Sequence, residues 1–316
     1  MIRLYRAEGG ILKGVESGQM KEAMWIDAVA PTPEEVEILQ KSFDLDLQDV
    51  ADCLDPNERA RVEVEEKYDL VVLKTVLTGE RTGEDGHERI QTMPIGMFIT
   101  KDKLVTVRLV PGFSYEELTS DLKRKLWIET KEDLFLAIIR KVNRDIERKV
   151  RPMERIIAKI QSELVTQKRT EEAAAAFYLS NNLIVLNTSL LSNLNAISMA
   201  SRAKNLRMTK DHLDMAEDLE NDMAQLYEMT TIYREVVANL LSAYESALAN
   251  SLQTVMKTLT TISLILFIPI MITALFSMNL ALPLEAQDPS AFWLVVAISV
   301  VAVFGMWVVF RLKRIL

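Results

Sequence analysis

Two charge-free apolar runs lie close together in this sequence: TLTTISLILFIPIMITALF at 258–276 and AFWLVVAISVVAVFGMWVVF at 291–310, of 19 and 20 residues. Each is about the length that crosses the hydrocarbon core of a bilayer. No water is present there to satisfy backbone N–H and C=O groups, so each run has to be a helix. The flanks agree with this. Lys257 precedes the first run, Arg311, Lys313 and Arg314 follow the second, and the 14-residue connection 277–290 carries no Lys or Arg. Excess positive charge stays on the cytoplasmic side, which predicts both ends of the chain inside the cell and the connection outside. Trp293 and Trp307 sit near the two ends of the second run, where interfacial aromatics anchor a span. Two helices cannot enclose a water-filled path, so any pore needs several copies of the chain around an axis.

Turn-forming residues divide what precedes the spans. Nine of the ten glycines fall within 1–112, the tenth being Gly305, and after Pro111 only Pro152, Pro269, Pro283 and Pro289 remain. Turns therefore crowd the first third and long helices follow. Residues 1–130 are expected to form an N-terminal α/β domain. MIRLYR, AMWIDAV, ARVEVE, YDLVVLKTVL, QTMPIGMFIT and KLVTVRLV are rich in strand-forming side chains. PTPEEVEILQKSF is a helix pattern with Thr32 as its cap and Pro33 in its first turn. GERTGEDGHER at 79–89 is a polar hairpin tip, and KDK at 101–103 is a further turn. Residues 131–257 are expected to be a helical stalk region in three stretches, Lys131–Thr166, Glu171–Ser201 and one from Lys210 onward. The third meets no breaker before Pro269. Continued to Phe276 it has 67 residues and a length of about 100 Å. The fold class is an α+β cytoplasmic domain with long stalk helices and two C-terminal transmembrane α-helices. The spans are 258–276 and 291–310, joined by the extracytoplasmic loop 277–290 and followed by a basic cytoplasmic tail at 311–316.

Charge and motif content exclude several functions. The formal net charge is −8. From Lys257 onward four cationic side chains stand against Glu285 and Asp288, so the part before carries −10. An acidic body is unsuited to nucleic acid and suited to meeting cations. Cys53 is the single cysteine, and His87 and His212 stand apart from one another. A lone cysteine forms no disulfide within the chain and no cysteine metal cluster, and a buried thiol in a reducing compartment is expected. HExxH, GxxxxGK[ST], GxSxG and GxGxxG are all absent, and no nucleophile–base pair is evident, so no enzyme is expected. The N-terminus MIRLYRAEGG lacks the apolar core of a secretory signal.

The first span is polar for a lipid-facing helix. Gln253, Met256, Thr260, Ser263, Phe267, Ile270, Ala274 and Ser277 recur at alternating steps of three and four and share one helical face. That face fits a pore wall, and it equally fits helix–helix packing through small and hydroxyl residues. Thr254, Thr258 and Thr261 form a rival face, and periodicity is compatible with either turning to the axis.

The residues after the first span carry a resemblance. The layout of span, Ser277-Met278-Asn279, short loop and span resembles the CorA family of divalent-cation channels, whose signature tripeptide is Gly-Met-Asn. WID at 25–27, PTPEE at 31–35, RVEVEEKYDLVVLK at 61–74, YREVVANLLSAYESALANSLQTVMKTLT at 233–260 and DPSAFW at 288–293 extend it over nearly the whole chain. The resemblance implies a funnel-shaped homopentamer in the inner cell membrane with the first spans lining the pore. It implies Mg²⁺ as the usual cargo, with Co²⁺ and Ni²⁺ also carried, and no organic cofactor. Gln253, Met256, Thr260, Ser263, Phe267 and Ile270 would then line the pore, and Asn279 would form a ring at the outer mouth. Mg²⁺ gives up its waters reluctantly, and amide oxygens accept hydrogen bonds from that water shell without stripping it. Glu285 and Asp288 would raise the local cation concentration.

Ser277 is the departure from the family tripeptide. If the family's Gly is needed for positive φ, Ser distorts the mouth; at ordinary helical angles Ser is accommodated. The resemblance also implies closure by Mg²⁺ bound between cytoplasmic domains. Aligned without gaps from the spans, Asp218 falls on the stalk position of that site, and Asp211 and Asp214 share its helical face. The resemblance points near Glu80 for the domain-side partner, with Glu84 and Asp85 on the same hairpin, and Ser242 stands where well-known relatives carry an acid. Two other functions fit: a ZntB-like Zn²⁺ transporter, a branch that also departs from Gly-Met-Asn, and a non-conducting, membrane-anchored, ion-sensing oligomer.

Overall fold

The computed structural model describes residues 1–16, 19–77, 88–110, 118, 127–164, 169–200, 203–278 and 289–313. Glu80, Asn279, Glu285, Asp288 and nearly all of the hairpin tip 79–89 lie outside the described residues. The chain divides into two compact units, Met1–Leu241 and Ser242–Leu316.

The first unit is built on a seven-stranded sheet. Its strands are β1 (Ile2–Glu8), β2 (Ile11–Val15), β3 (Trp25–Val29), β4 (Arg61–Val64), β5 (Asp69–Val76), β6 (Thr92–Ile99) and β7 (Leu104–Arg108). The spatial order is β2-β1-β3-β7-β6-β5-β4. Among the described residues only β3 and β7 run parallel, with Trp25 opposite Leu104 and Val29 opposite Arg108. Six of these strands answer to the expected segments, and β2 is additional. It pairs Glu8 with Ile11 around Gly9-Gly10, both at positive φ (58° and 73°). That two-residue turn matches the twist of a hairpin and needs φ values glycine adopts freely. Thr100–Lys103 closes the expected turn between β6 and β7, with Thr100 N–H donating to the Lys103 carbonyl at 3.0 Å.

Strand alternation sorts the core into two layers. Leu70 and Val72 of β5 join Leu39, Val50, Cys53, Phe98 and Val105 on one face. Val71 and Leu73 join Met97, Ile99 and Leu104 on the other. The first face is covered by α1 (Pro33–Phe43) and α2 (Leu47–Asp52). Thr32 caps α1 with Glu35 completing a capping box, as the Thr-Pro-Glu-Glu pattern predicts. The opposite face packs against α3 (Lys131–Leu164), α4 (Arg169–Ala200) and the first part of α5 (Lys210–Phe276). α5 is a single helix of 67 residues, and its later part forms the second unit together with α6 (Pro289–Leu312).

Three helices among the described residues are long and apolar enough to cross a membrane: Ala173–Ala200, Lys210–Phe276 and Phe292–Leu312. Burial separates them. Half of the apolar window of the first is buried, against 6% and 0% for the others. α4 is held to the sheet by two asparagines that imitate strand neighbours. Asn193 donates to the Lys74 carbonyl and accepts from the Lys74 N–H, both at 2.7 Å. Asn182 does the same for Glu88 O (2.8 Å) and Ile90 N–H (2.9 Å). Lys74 lies beyond the last β4 pair, Arg61 with Val72, and opposite Pro94, which has no N–H to give. Asn193 thus satisfies strand groups that no neighbouring strand reaches. The apolar content of α4 belongs to the domain core, and that of the later part of α5 and of α6 is left for a bilayer.

Candidate functional site

The later part of α5 presents two opposed faces. Thr261 is buried, and Ile265, Ile268 and Ile272 are half-buried, at steps of four, three and four. On α6 the matching stripe is Val295, Ser299, Ala302 and Met306. Among the described residues these are the only two helices of the unit, so each covered stripe is the face turned to the other. Gln253, Met256, Thr260, Ser263, Phe267 and Ile270 are all exposed. At 3.6 residues per turn their stripe lies roughly 130–150° round the helix from the Thr261 stripe. Of the rival face Thr254, Thr258 and Thr261, only Thr261 is covered, and Thr254 and Thr258 are exposed.

The hydroxyls of α5 bond back to their own helix. Thr254, Thr258, Thr261 and Ser263 donate to the carbonyls four residues earlier at 2.8–2.9 Å. Such back-bonding uses the hydroxyl hydrogen and leaves the oxygen lone pairs pointing outward. Ser263, on the exposed stripe, is therefore an acceptor, which suits a cation whose bound waters donate outward.

Ser277 answers the conditional expectation about its backbone. Among the described residues, positive φ outside glycine is confined to Ala30 and Asp44. Ser277 N–H donates to Thr273 O (3.0 Å) and Ala274 O (3.3 Å), prolonging the last turn of α5. Its Oγ donates to Ala274 O at 2.8 Å. Met278 follows with a looser 3.5 Å bond to Leu275 O. A serine here needs no glycine-only conformation. On α6 the Arg311 guanidinium lies 5.2 Å from the Trp307 ring centre, and Phe304 stacks on Trp307 at 5.9 Å. This aromatic–cation pairing is typical of a membrane–water boundary.

The start of α5 belongs to the first unit. Leu219, Met223, Leu226, Thr230 and Val237 are buried on one face, while Asp211, Asp214 and Asp218 are exposed, roughly 110° away. No group of three or more His, Cys, Asp or Glu among the described residues is arranged to hold a metal. The three aspartates therefore lack the extra donors of a closed site within one chain.

Residues that fix this part of α5 were not singled out from the sequence. Asn143 of α3 donates to Leu219 O at 2.8 Å. Asn187 of α4 donates to Thr231 Oγ1 (2.8 Å) and Thr230 Oγ1 (3.1 Å). Lys131 Nζ reaches the carbonyls of Thr100, Lys101 and Asn205 at 2.6–2.7 Å, and Glu132 accepts from Arg207 N–H at 3.0 Å. Together these pin the segment that leads into the helix. His212 Nε2 lies 3.0 Å from Asp133 Oδ1, and Asp133 Oδ2 accepts from the Thr130 N–H (2.9 Å) and hydroxyl (2.8 Å). Burial pushes the Asp133 carboxyl up, but these hydrogen bonds outweigh it and hold it below the usual range. The only sequence signal for the buried asparagines is their recurrence in otherwise apolar helical stretches.

A mixed-sheet domain followed by a long helix and a second C-terminal helix, both long and apolar enough to span, has the build of an integral membrane protein. The CorA-like Mg²⁺ transporter family model matches residues 20–314, and the chain belongs to that family. It is 28% identical over 293 residues to the cobalt/magnesium transport protein CorA of Methanocaldococcus jannaschii, covering 91% of this chain and 90% of that protein. The complete structure of the CorA magnesium transporter from that organism superposes with a TM-score of 0.82 at 24% identity, over 98% of this chain and 97% of the other. The full-length CmaX protein gives a TM-score of 0.76 at 18% identity, over 99% and 97%. The family handles divalent cations, and Mg²⁺ is the ion its description names.

Proposed function

We propose that the chain assembles into a homo-oligomeric, passive channel for hydrated divalent cations, with Mg²⁺ the principal cargo and Co²⁺ and Ni²⁺ also carried. One observation carries the reading: the hydroxyl-bearing stripe of α5 is exposed and lies opposite the face engaged with α6. In a ring of such helix pairs with α6 outermost, that stripe turns to the axis. Gln253, Met256 and Thr260 then line the inner part of the path, and Ser263, Phe267 and Ile270 the outer part. Asn279 forms the mouth, where a neutral amide meets the ion's water shell, and Glu285 and Asp288 draw cations to it. The assembly sits in the inner membrane with both termini in the cytoplasm, a reading supported by the basic flanks of the spans.

Asp211, Asp214 and Asp218 form the regulatory face, completed by donors of a neighbouring chain, Glu80 among them. A hard divalent ion there relieves the repulsion between the carboxylates and ties neighbouring domains together. Its release frees the α5 helices to move.

Ion flux in proteoliposomes tests this. Mg²⁺, Co²⁺, Ni²⁺ and Zn²⁺ are compared for the parent, Asn279→Ala and Ser277→Gly. Mg²⁺ entry that Asn279→Ala changes and Ser277→Gly largely preserves is the expected result. Metal binding without flux, or proton-dependent Zn²⁺ flux without Mg²⁺ flux, overturns the reading. Asp218→Asn should weaken inhibition by internal Mg²⁺, and unaltered inhibition removes Asp218 from the regulatory site.

A further inference from the structure

The covered stripes of α5 and α6 have one spacing, read in opposite directions. From Thr261 to Ile272 the steps are four, three and four, and from Met306 back to Val295 they are again four, three and four. Antiparallel helices pack in this way, with Thr261 level with Met306 and Ile272 level with Val295. The helix period carries each stripe past its last covered residue. Lys257 lies four positions before Thr261, and Lys313 seven after Met306, so both continue the facing stripes. Both are exposed. Lys313 keeps helical geometry, its N–H donating to Val309 O at 3.0 Å. In this register Lys257 is level with Phe310, and Lys313 is three residues beyond, about 4.5 Å along the axis. Packed helices stand roughly 8–10 Å apart, so both ammonium groups come within reach of one small anion.

Two ammonium groups on facing stripes repel each other. The side-chain carboxylates of this unit are distant along the chain. Glu245 is twelve residues before Lys257, about 18 Å along α5, and Glu285 and Asp288 belong to the connection at the other end of the spans. The surroundings define the kind of anion that fits. Beside the two lysines runs the apolar surface of α6, whose apolar window is 0% buried. Arg311, level with Lys257, stands roughly 140° round α6 from its covered stripe, and its guanidinium lies over Trp307. That pairing marks the membrane–water boundary, which puts Lys257 and Lys313 at headgroup depth. An anion at that depth, with apolar surface next to it, is a lipid phosphate.

We infer that Lys257 and Lys313 bind the headgroup phosphate of an anionic phospholipid in the cytoplasmic leaflet, which ties the inner ends of α5 and α6 together. The inference rests on the topology proposed above, which turns this end of the spans to the cytoplasm.

The full chain is placed in phosphatidylcholine nanodiscs that contain a minor share of either brominated phosphatidylglycerol or brominated phosphatidylcholine. Tryptophan quenching is read in the parent and in Trp307→Phe, which removes the reporter at this end. In the parent, brominated phosphatidylglycerol should quench the Trp307 component with a preference of roughly tenfold or more, because each cation near an anionic surface favours it about fivefold. Added salt should weaken the preference. Lys257→Gln/Lys313→Gln should abolish it and Lys257→Arg/Lys313→Arg keep it. Lys13→Gln/Lys41→Gln, which removes the same charge from exposed positions of the first unit, should leave it unchanged. A parent with no preference overturns the site without appeal to any variant. A preference that survives Lys257→Gln/Lys313→Gln overturns these lysines as its source. Inorganic phosphate is added in a parallel series; if it erases the preference, the site takes a free anion and the lipid assignment falls. Topology is read separately. Cys53 is buried, so Lys313→Cys carries the reactive thiol, and an impermeant maleimide should reach it in inverted membrane vesicles and not in intact cells. Labelling in intact cells overturns the topology and the leaflet with it. Labelling in inverted vesicles alone, with no lipid preference, overturns the headgroup site and leaves the topology standing.

Discussion

Asp27, the acid of the WID motif, lies in a transporter of metal ions, yet its carboxylate is committed to the fold. Asp27 is 0% and Arg108 2% exposed. Arg108 Nη2 donates to Asp27 Oδ2 at 2.7 Å and Nε to Oδ1 at 3.0 Å. Thr106 Oγ1 donates to the same Oδ1 at 2.8 Å and accepts from Trp25 Nε1 at 2.9 Å. Arg108 Nη1 finishes the chain at Val110 O, 2.7 Å away. Asp27→Asn replaces one acceptor oxygen by an amide that faces donors and leaves the guanidinium buried without its counter-charge. Breaking a pair of this kind costs about 3–5 kcal/mol. A domain of this size loses roughly 2–4 °C of Tm per kcal/mol, so a fall of roughly 6–20 °C is expected. The melt is followed by tryptophan fluorescence, to which Trp25 contributes from inside the network. Asp27→Leu/Arg108→Met removes both charges and should recover most of the loss, because apolar replacement of a whole buried pair is often neutral. A loss below about 1 kcal/mol for Asp27→Asn, or a double variant as unstable as the single one, refutes the reasoning.

Three further outcomes follow from particular contacts. Gly96→Ala would place a Cβ 2.0 Å from Cys53 Sγ, so it should lower Tm clearly, and Cys53→Ala in the same chain should restore part of the loss. The Cys53 thiol, pushed up by burial, should resist alkylation in the folded protein and react once denaturant is added. The depressed carboxyl of Asp133 stabilises the fold above its unfolded value, about 3.9, and that contribution is lost as pH falls through its folded value. The stability difference between the parent and Asp133→Asn should therefore be largest near neutral pH and shrink below about pH 4, as read from melts across pH; a difference independent of pH contradicts the role given to this carboxylate.

Features that depend on near neighbours in the chain were legible in the sequence. The two spans follow from charge-free length. The boundaries of α5 at Lys210 and Phe276 follow from the lack of breakers, and the α1 cap follows from Thr32 and Glu35, three residues apart. Each is set by contacts within one or two helical turns, which is the range over which periodicity and capping act. β2 escaped notice because a five-residue strand containing Gly14 has little pattern, although Gly9-Gly10 announced its turn. Tertiary structure decided what required a distant partner. α4 is apolar enough to cross a membrane, and its burial, with Asn182 and Asn193 bonding to chain segments about 90 and 120 residues away, assigns it to the core. Asp27, in the WID motif, and Asp218, on the long helix, are both acids; Arg108, 81 residues downstream, consumes the first, and the second is exposed. The two polar faces of the first span are equivalent by spacing, and in the folded chain only Thr261 among their residues is buried, because a helix's own period says which residues lie together but not what they meet.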